Sequence, residues 1–162
     1  MPTTTFEAIR DQMITKLEAI TPAILAAPGQ EFRRVGRRFR LREWAAGNPD
    51  GAFRKFEIMR SGIAEEPPFM DPSVFELNEA AAITVAYPRT VGLYGQGDLD
   101  DMEDVIRSDA LQIRDTVFSP GNYVSGQSLA RVTIQPPDRE LPGVWYQTFE
   151  VLLIYTAAQT LV

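Results

Sequence analysis

The sequence contains no cysteine and no histidine. Without cysteine, no disulfide can brace the fold, and zinc centres built on thiolates are ruled out. Without histidine, no side chain titrates near neutrality at its ordinary pKa. Neither a Ser-His-Asp nor a Cys-His nucleophile can be assembled. Carboxylate chemistry and oxygen-ligand metals survive these exclusions. Long apolar runs are also missing. The longest, residues 151–158, is interrupted by Thr156 and falls far short of the roughly 20 residues that cross a bilayer. Residues 1–6 are polar and lack the basic head and apolar run of a secretory signal. The expectation is a chain that makes no membrane contact and folds in the cytoplasm. Positive charge is scarce as well: 16 basic residues stand against 22 acidic ones, for a net charge of −6. A mobile DNA-binding protein shows the opposite balance.

What is present is patterned. A chain of 162 residues suits one domain, 1–162, and at this size folding buries roughly 70% of the chain's surface. Residues 4–21 predict a helix. Thr4 and Glu7 have the spacing of a capping box, and Phe6, Ile9, Met13, Leu17, Ile20 and Ile24 recur at three- and four-residue steps. Residues 32–44 predict a strand with Val35, Phe39 and Leu41 on one parity. After the turn residues Gly47-Asn48-Pro49-Asp50-Gly51, residues 52–62 predict a second strand, and the pair is expected to form a hairpin. A third strand covers residues 74–87, with Ile83, Val85 and Tyr87 on one face and Pro88 ending it. Residues 98–117 predict a second helix whose stripe is Leu99, Met102, Val105, Ile106, Ala110, Ile113 and Val117.

Residues 129–135 and 144–156 predict two further strands. In the last, Trp145, Phe149, Val151, Leu153 and Tyr155 share one parity. Its second half is apolar on both faces, so the strand is either central and covered twice or pressed against a partner chain. The expected class is therefore α+β: a mixed or antiparallel sheet of about five strands with two main helices packed on it, in the order α-β-β-β-α-β-β.

Several chemical signals fade on inspection. Gly92-x-x-Gly95-x-Gly97 fits neither the dinucleotide fingerprint nor a P-loop, and the acids after it would repel a phosphate. Asp98, Asp100, Asp101, Glu103 and Asp104 lack the mid-loop glycine and terminal glutamate of a calcium loop. They fit the first turns of a helix, where the dipole favours negative charge. Glu65-Glu66 reads as a solvated loop, and nothing places two carboxylates across a cleft. Ser119, Ser125 and Ser128 lie in no nucleophile-elbow context. No catalytic residue, metal or cofactor is expected.

The least ordinary feature is basic. Arg33, Arg34, Arg37, Arg38, Arg40 and Arg42 fall within ten residues of an otherwise acidic chain. Arg34, Arg38 and Arg40 share one strand parity. Three uses are open: a solvated edge strand whose charges block unwanted pairing, a subunit interface meeting carboxylates of a neighbour, and contact with DNA phosphates. The acids Asp98, Asp100, Asp101, Glu103 and Asp104 are the candidate for the complementary surface.

Two stretches carry a resemblance. One is the strand ending Ile83-Thr84-Val85-Ala86-Tyr87-Pro88, followed by a loop and the Asp-rich helix start Asp98-Leu99-Asp100-Asp101-Met102. The other is the final strand Trp145-Tyr146-Gln147-Thr148-Phe149-Glu150-Val151-Leu152-Leu153-Ile154-Tyr155. With the element order and size, they resemble the tail terminator family of long-tailed bacteriophages. The resemblance covers most of the chain, and related neck and tail-completion proteins share parts of it. It implies a homo-oligomeric ring, a hexamer, seated on the last ring of the tail tube in the neck of the virion. Such a ring stops tube polymerisation and presents a docking surface to the head connector. Its partners are the major tail tube protein and a head-tail connector or head-completion protein; DNA passes through its channel, and no catalytic residue is needed. A tail-completion or head-closure adaptor is the alternative.

Overall fold

The structure, a computed structural model, describes residues 3–24, 30–36, 38–65, 74–89, 99–118, 123–125, 128–139 and 143–158. Helix α1 spans Phe6–Glu18, strand β1 Arg33–Arg34 and helix α2 Leu41–Gly47. A 3-10 turn at Asp50–Ala52 leads into strand β2, Lys55–Glu65. Strand β3 follows at Val74–Pro88, then helix α3 at Leu99–Val117. Strands β4, Tyr123–Ser125, β5, Ser128–Ile134, and β6, Val144–Ala158, complete the chain. The class is α+β, as the sequence predicts. The six strands form one mixed sheet in the order β1-β2-β3-β6-β5-β4.

Strands β3 and β6 are the axis of the sheet. They pair antiparallel along their whole length, from Val74↔Ala158 to Pro88↔Val144. Both carry alternating apolar residues, so one register puts Ala81, Ile83, Val85 and Tyr87 beside Phe149, Val151, Leu153 and Tyr155 on the same face. Helices α1 and α3 cover that face. From α1 come Phe6, Ile9, Met13 and Leu17, and from α3 Met102, Val105, Ile106, Ala110, Ile113 and Val117, all buried in one core. Each of these side chains larger than alanine contributes about 1.5–3 kcal/mol by leaving water.

Four expectations are corrected. The N-cap of α1 is Thr5, whose hydroxyl accepts the Ala8 N–H at 3.2 Å; Glu7 does not close a capping box with Thr4 but reaches Arg60 at 3.0 Å. Ile24 and Leu99, placed on the apolar stripes, are exposed. The strand expected over residues 32–44 shrinks to Arg33–Arg34, and α2 occupies its second half. Moreover β1 runs parallel to β2, so the expected antiparallel hairpin does not form.

Helix α2 escapes sequence reading because its start lacks a local signal. Its N-cap residue, Arg40, makes no side-chain cap bond. The Glu57 carboxylate of β2 accepts the Leu41 N–H instead, at 2.9 Å. This satisfies an otherwise orphan donor and sets negative charge at the positive end of the helix. Helix α2 lies on the opposite face of the sheet from α1 and α3. There Leu41 and Ala45 pack with Val35, Ala52, Ala86, Val144 and Tyr146 in a second core. The sheet is thus covered on both faces at its Pro88/Val144 end. Further along β6, Leu152 and Ile154 on the α2 side are only half-buried.

Candidate functional site

The predicted basic segment does not form one continuous stripe. Arg33 is spent on the fold: its guanidinium donates to the carbonyls of Glu18 at 3.0 Å and Phe32 at 2.8 Å. The Arg34 N–H donates to the Glu18 carboxylate at 3.1 Å. Arg37 lies outside the described residues. Beyond β1 the chain turns, with the Phe39 N–H donating to the Gly36 carbonyl at 3.0 Å. The strand parity expected for Arg34, Arg38 and Arg40 is therefore lost: Arg38 sits on the turn and Arg40 occupies the N-cap position of α2.

Arg42, one residue into α2, points back over the sheet. Its guanidinium lies 4.2 Å from the Tyr146 ring centroid and 3.2 Å from the Asp138 carboxylate. Burial raises the Tyr146 pKa, and the Arg42 charge works against that rise. Among the described residues Arg38 and Arg40 are exposed and make no side-chain hydrogen bond or ion pair. Between them stands Phe39, 54% exposed.

The acidic segment survives as a surface. Asp98 lies outside the described residues, as do the glycine-rich loop and Glu66. Asp100, Glu103 and Asp104 are exposed on the first turns of α3, and Asp101 is half-buried. Glu103 pairs with Arg139 at 3.0 Å. Among the described residues, Arg38, Arg40 and Arg42 make no ion pair with Asp100, Glu103 or Asp104. Asp138 engages α2 on one face of the sheet, and its neighbour Arg139 engages α3 on the other. Both segments therefore flank the same end of the sheet, separated by its thickness.

A groove of about 490 Å³ runs beside α3, where the helix overhangs the end of β5. Its apolar lining includes Ile106, Ala110, Leu111, Ile134, Pro136 and Pro137, and its rim carries Glu103, Asp104, Arg107 and Arg139. Among the described residues no three of His, Cys, Asp or Glu converge as metal ligands. The sequence matches no family model and no curated protein.

Two buried polar clusters were invisible to pattern reading. Arg54 and Asp109 are both fully buried. Arg54 Nε donates to one Asp109 oxygen at 2.7 Å and its terminal nitrogen to the other at 2.9 Å. The Tyr87 hydroxyl donates to the same carboxylate at 2.9 Å. Arg54 also donates to the carbonyls of Ile24 and Gln30, and its guanidinium carbon lies 4.7 Å from the Phe53 ring centroid. Burial raises the Asp109 pKa, opposed by the Arg54 bonds and charge and by the Tyr87 bond.

In the second cluster the buried Glu79 accepts from Tyr155 at 2.5 Å and pairs with Arg60 at 2.9 Å. Arg60 extends to Glu7 on α1 and sits 4.2 Å over the Phe6 ring. Burial, then the hydrogen bond to Glu79, push the Tyr155 pKa upward. The only hint in the sequence is that Asp109 and Glu79 interrupt apolar stripes. Both clusters join a helix of the covered face to the sheet.

Proposed function

We propose that this chain is a non-enzymatic ring subunit of the tail terminator type. Copies of it, six in number, close on the end of a phage tail tube, stop its growth and offer the head connector a docking surface. One observation carries the reading. The basic groups Arg38 and Arg40 and the acids Asp100 and Asp104, none of them in an ion pair among the described residues, lie on opposite sides of the sheet, where they cannot neutralise each other within one chain. A closed ring needs a heterologous contact, in which one surface complements a different surface on the next copy. Opposite charge on opposite sides of a slab supplies that asymmetry. The two buried carboxylates, Glu79 and Asp109, are each bonded to an arginine and a tyrosine, Asp109 to the buried Arg54 and Glu79 to the half-exposed Arg60, which favours a structural role for both.

The test combines sedimentation with assembly of the major tail tube protein. The purified chain should sediment as a discrete oligomer, alone or on tube ends, and should limit tube length. A strictly monomeric chain in the presence of tubes overturns the proposal. A discrete ring that leaves tube length unchanged and binds head connectors instead points to a head-side adaptor.

A further inference from the structure

Phe39 and the groove beside α3 form a matching pair. Resting on the ring reading above, we propose that Phe39, with Arg38 and Arg40, inserts into the α3 groove of a second copy of this chain. Four observations lead there.

The first is chemical. An isolated exposed apolar side chain is ordinary, but Phe39 is flanked on both sides by arginines without partners among the described residues. Aromatic residues and arginine are the types that dominate binding energy at protein interfaces. The second is rigidity. Gly36 accepts the Phe39 N–H at 3.0 Å, and Glu57 holds the Leu41 N–H at 2.9 Å. The backbone donors of Phe39 and Leu41 are both held, so the knob gives up less conformational freedom on docking.

The third is complementarity. The groove has an apolar lining and about 490 Å³ of space, ample for one aromatic ring and the stems of its neighbours. The rim balances Glu103 and Asp104 against Arg107 and Arg139, with Glu103 and Arg139 already paired. Asp104 on the rim and Asp100 one turn before it are exposed and make no ion pair among the described residues, so they offer carboxylates to Arg38 and Arg40. The fourth is placement. The knob immediately precedes α2 on one face of the sheet, whereas the groove lies beside α3 on the other, beyond Ile134. Knob and groove flank the same end of the sheet from opposite faces, with its thickness between them. A knob cannot reach its own groove, and repetition of the contact joins copies head to tail.

The experiment uses two full-length variants. Phe39→Asp destroys the knob and leaves the groove intact. Leu111→Arg, at an exposed position of the lining, places a cation in the groove and leaves the knob intact. Circular dichroism checks that both stay folded. Each variant alone should self-associate at least about 30-fold more weakly than wild type, the effect of losing an interface hot spot. Mixed, the two retain one working contact and should form a heterodimer that grows no further. A wild-type oligomer that persists in both folded variants overturns the knob and groove while leaving the ring reading in place. Loss of self-association without heterodimer recovery on mixing also overturns it. A wild type that never self-associates, alone or on tubes, removes the ring reading itself.

Discussion

Asp109 accepts two hydrogen bonds from Arg54 at 2.7 and 2.9 Å, with neither side chain touching solvent. Such a pair stabilises weakly against an apolar replacement, but it is costly to break, because the survivor is left charged and buried. Asp109→Ala should therefore destabilise the protein by about 3–5 kcal/mol in urea unfolding. The combination Arg54→Met, Asp109→Leu and Tyr87→Phe should recover most of that loss. A single substitution as mild as the combination would show that water reaches the pair.

Arg54 also carries a positive φ of 58°, the only such non-glycine residue among those described. A backbone in this region costs a side-chain-bearing residue roughly 1 kcal/mol or more, and the bidentate bond to Asp109 offsets that cost. In an Asp109→Ala background the offset is gone. There, Arg54→Gly should be less destabilising than Arg54→Ala when both are measured by thermal unfolding.

Tyr155 titrates above its ordinary value because burial and the bond to Glu79 both disfavour the phenolate. The sign follows directly. The folded pKa lies above the unfolded value of about 10, so this stabilisation is complete below pH 10 and is lost as pH rises beyond it. Alkaline unfolding followed by phenolate absorbance should show Tyr155 ionising only as the fold is lost. Tyr155→Phe should flatten the decline of stability above about pH 10; an unchanged slope would mean another group governs it.

Glu57 caps a helix it does not belong to. Glu57→Ala should cost about 1 kcal/mol, as cap losses do, and should loosen the turn holding Phe39. Hydrogen exchange should show faster exchange at Leu41 while β3 and β6 keep their protection.

Long elements with one unbroken period were legible in the sequence: α1, β3, α3 and β6 fall within a few residues of their expected bounds. Tertiary contacts decide what was not. Residues 32–44 alternate like a strand, yet a carboxylate supplied by β2 turns their second half into a helix. For the candidate site, the acids of α3 stood out by composition, and their exposure follows from their place on the polar face. The arginine segment stood out too, but its division into structural Arg33, sheet-facing Arg42, and Arg38 and Arg40 without partners among the described residues depends on which groups the fold brings near. Arg54 and Asp109 are separated by 55 residues, and no local pattern joins them.

The borrowed cap of α2 has a kinetic consequence. A seven-residue helix is too short to persist alone, and its capping carboxylate arrives only once β2 has paired. During synthesis, residues 41–47 must therefore wait for chain that emerges afterwards. Substitutions in α2 should accelerate unfolding while hardly slowing folding, the signature of a piece set in place after the rate-limiting step.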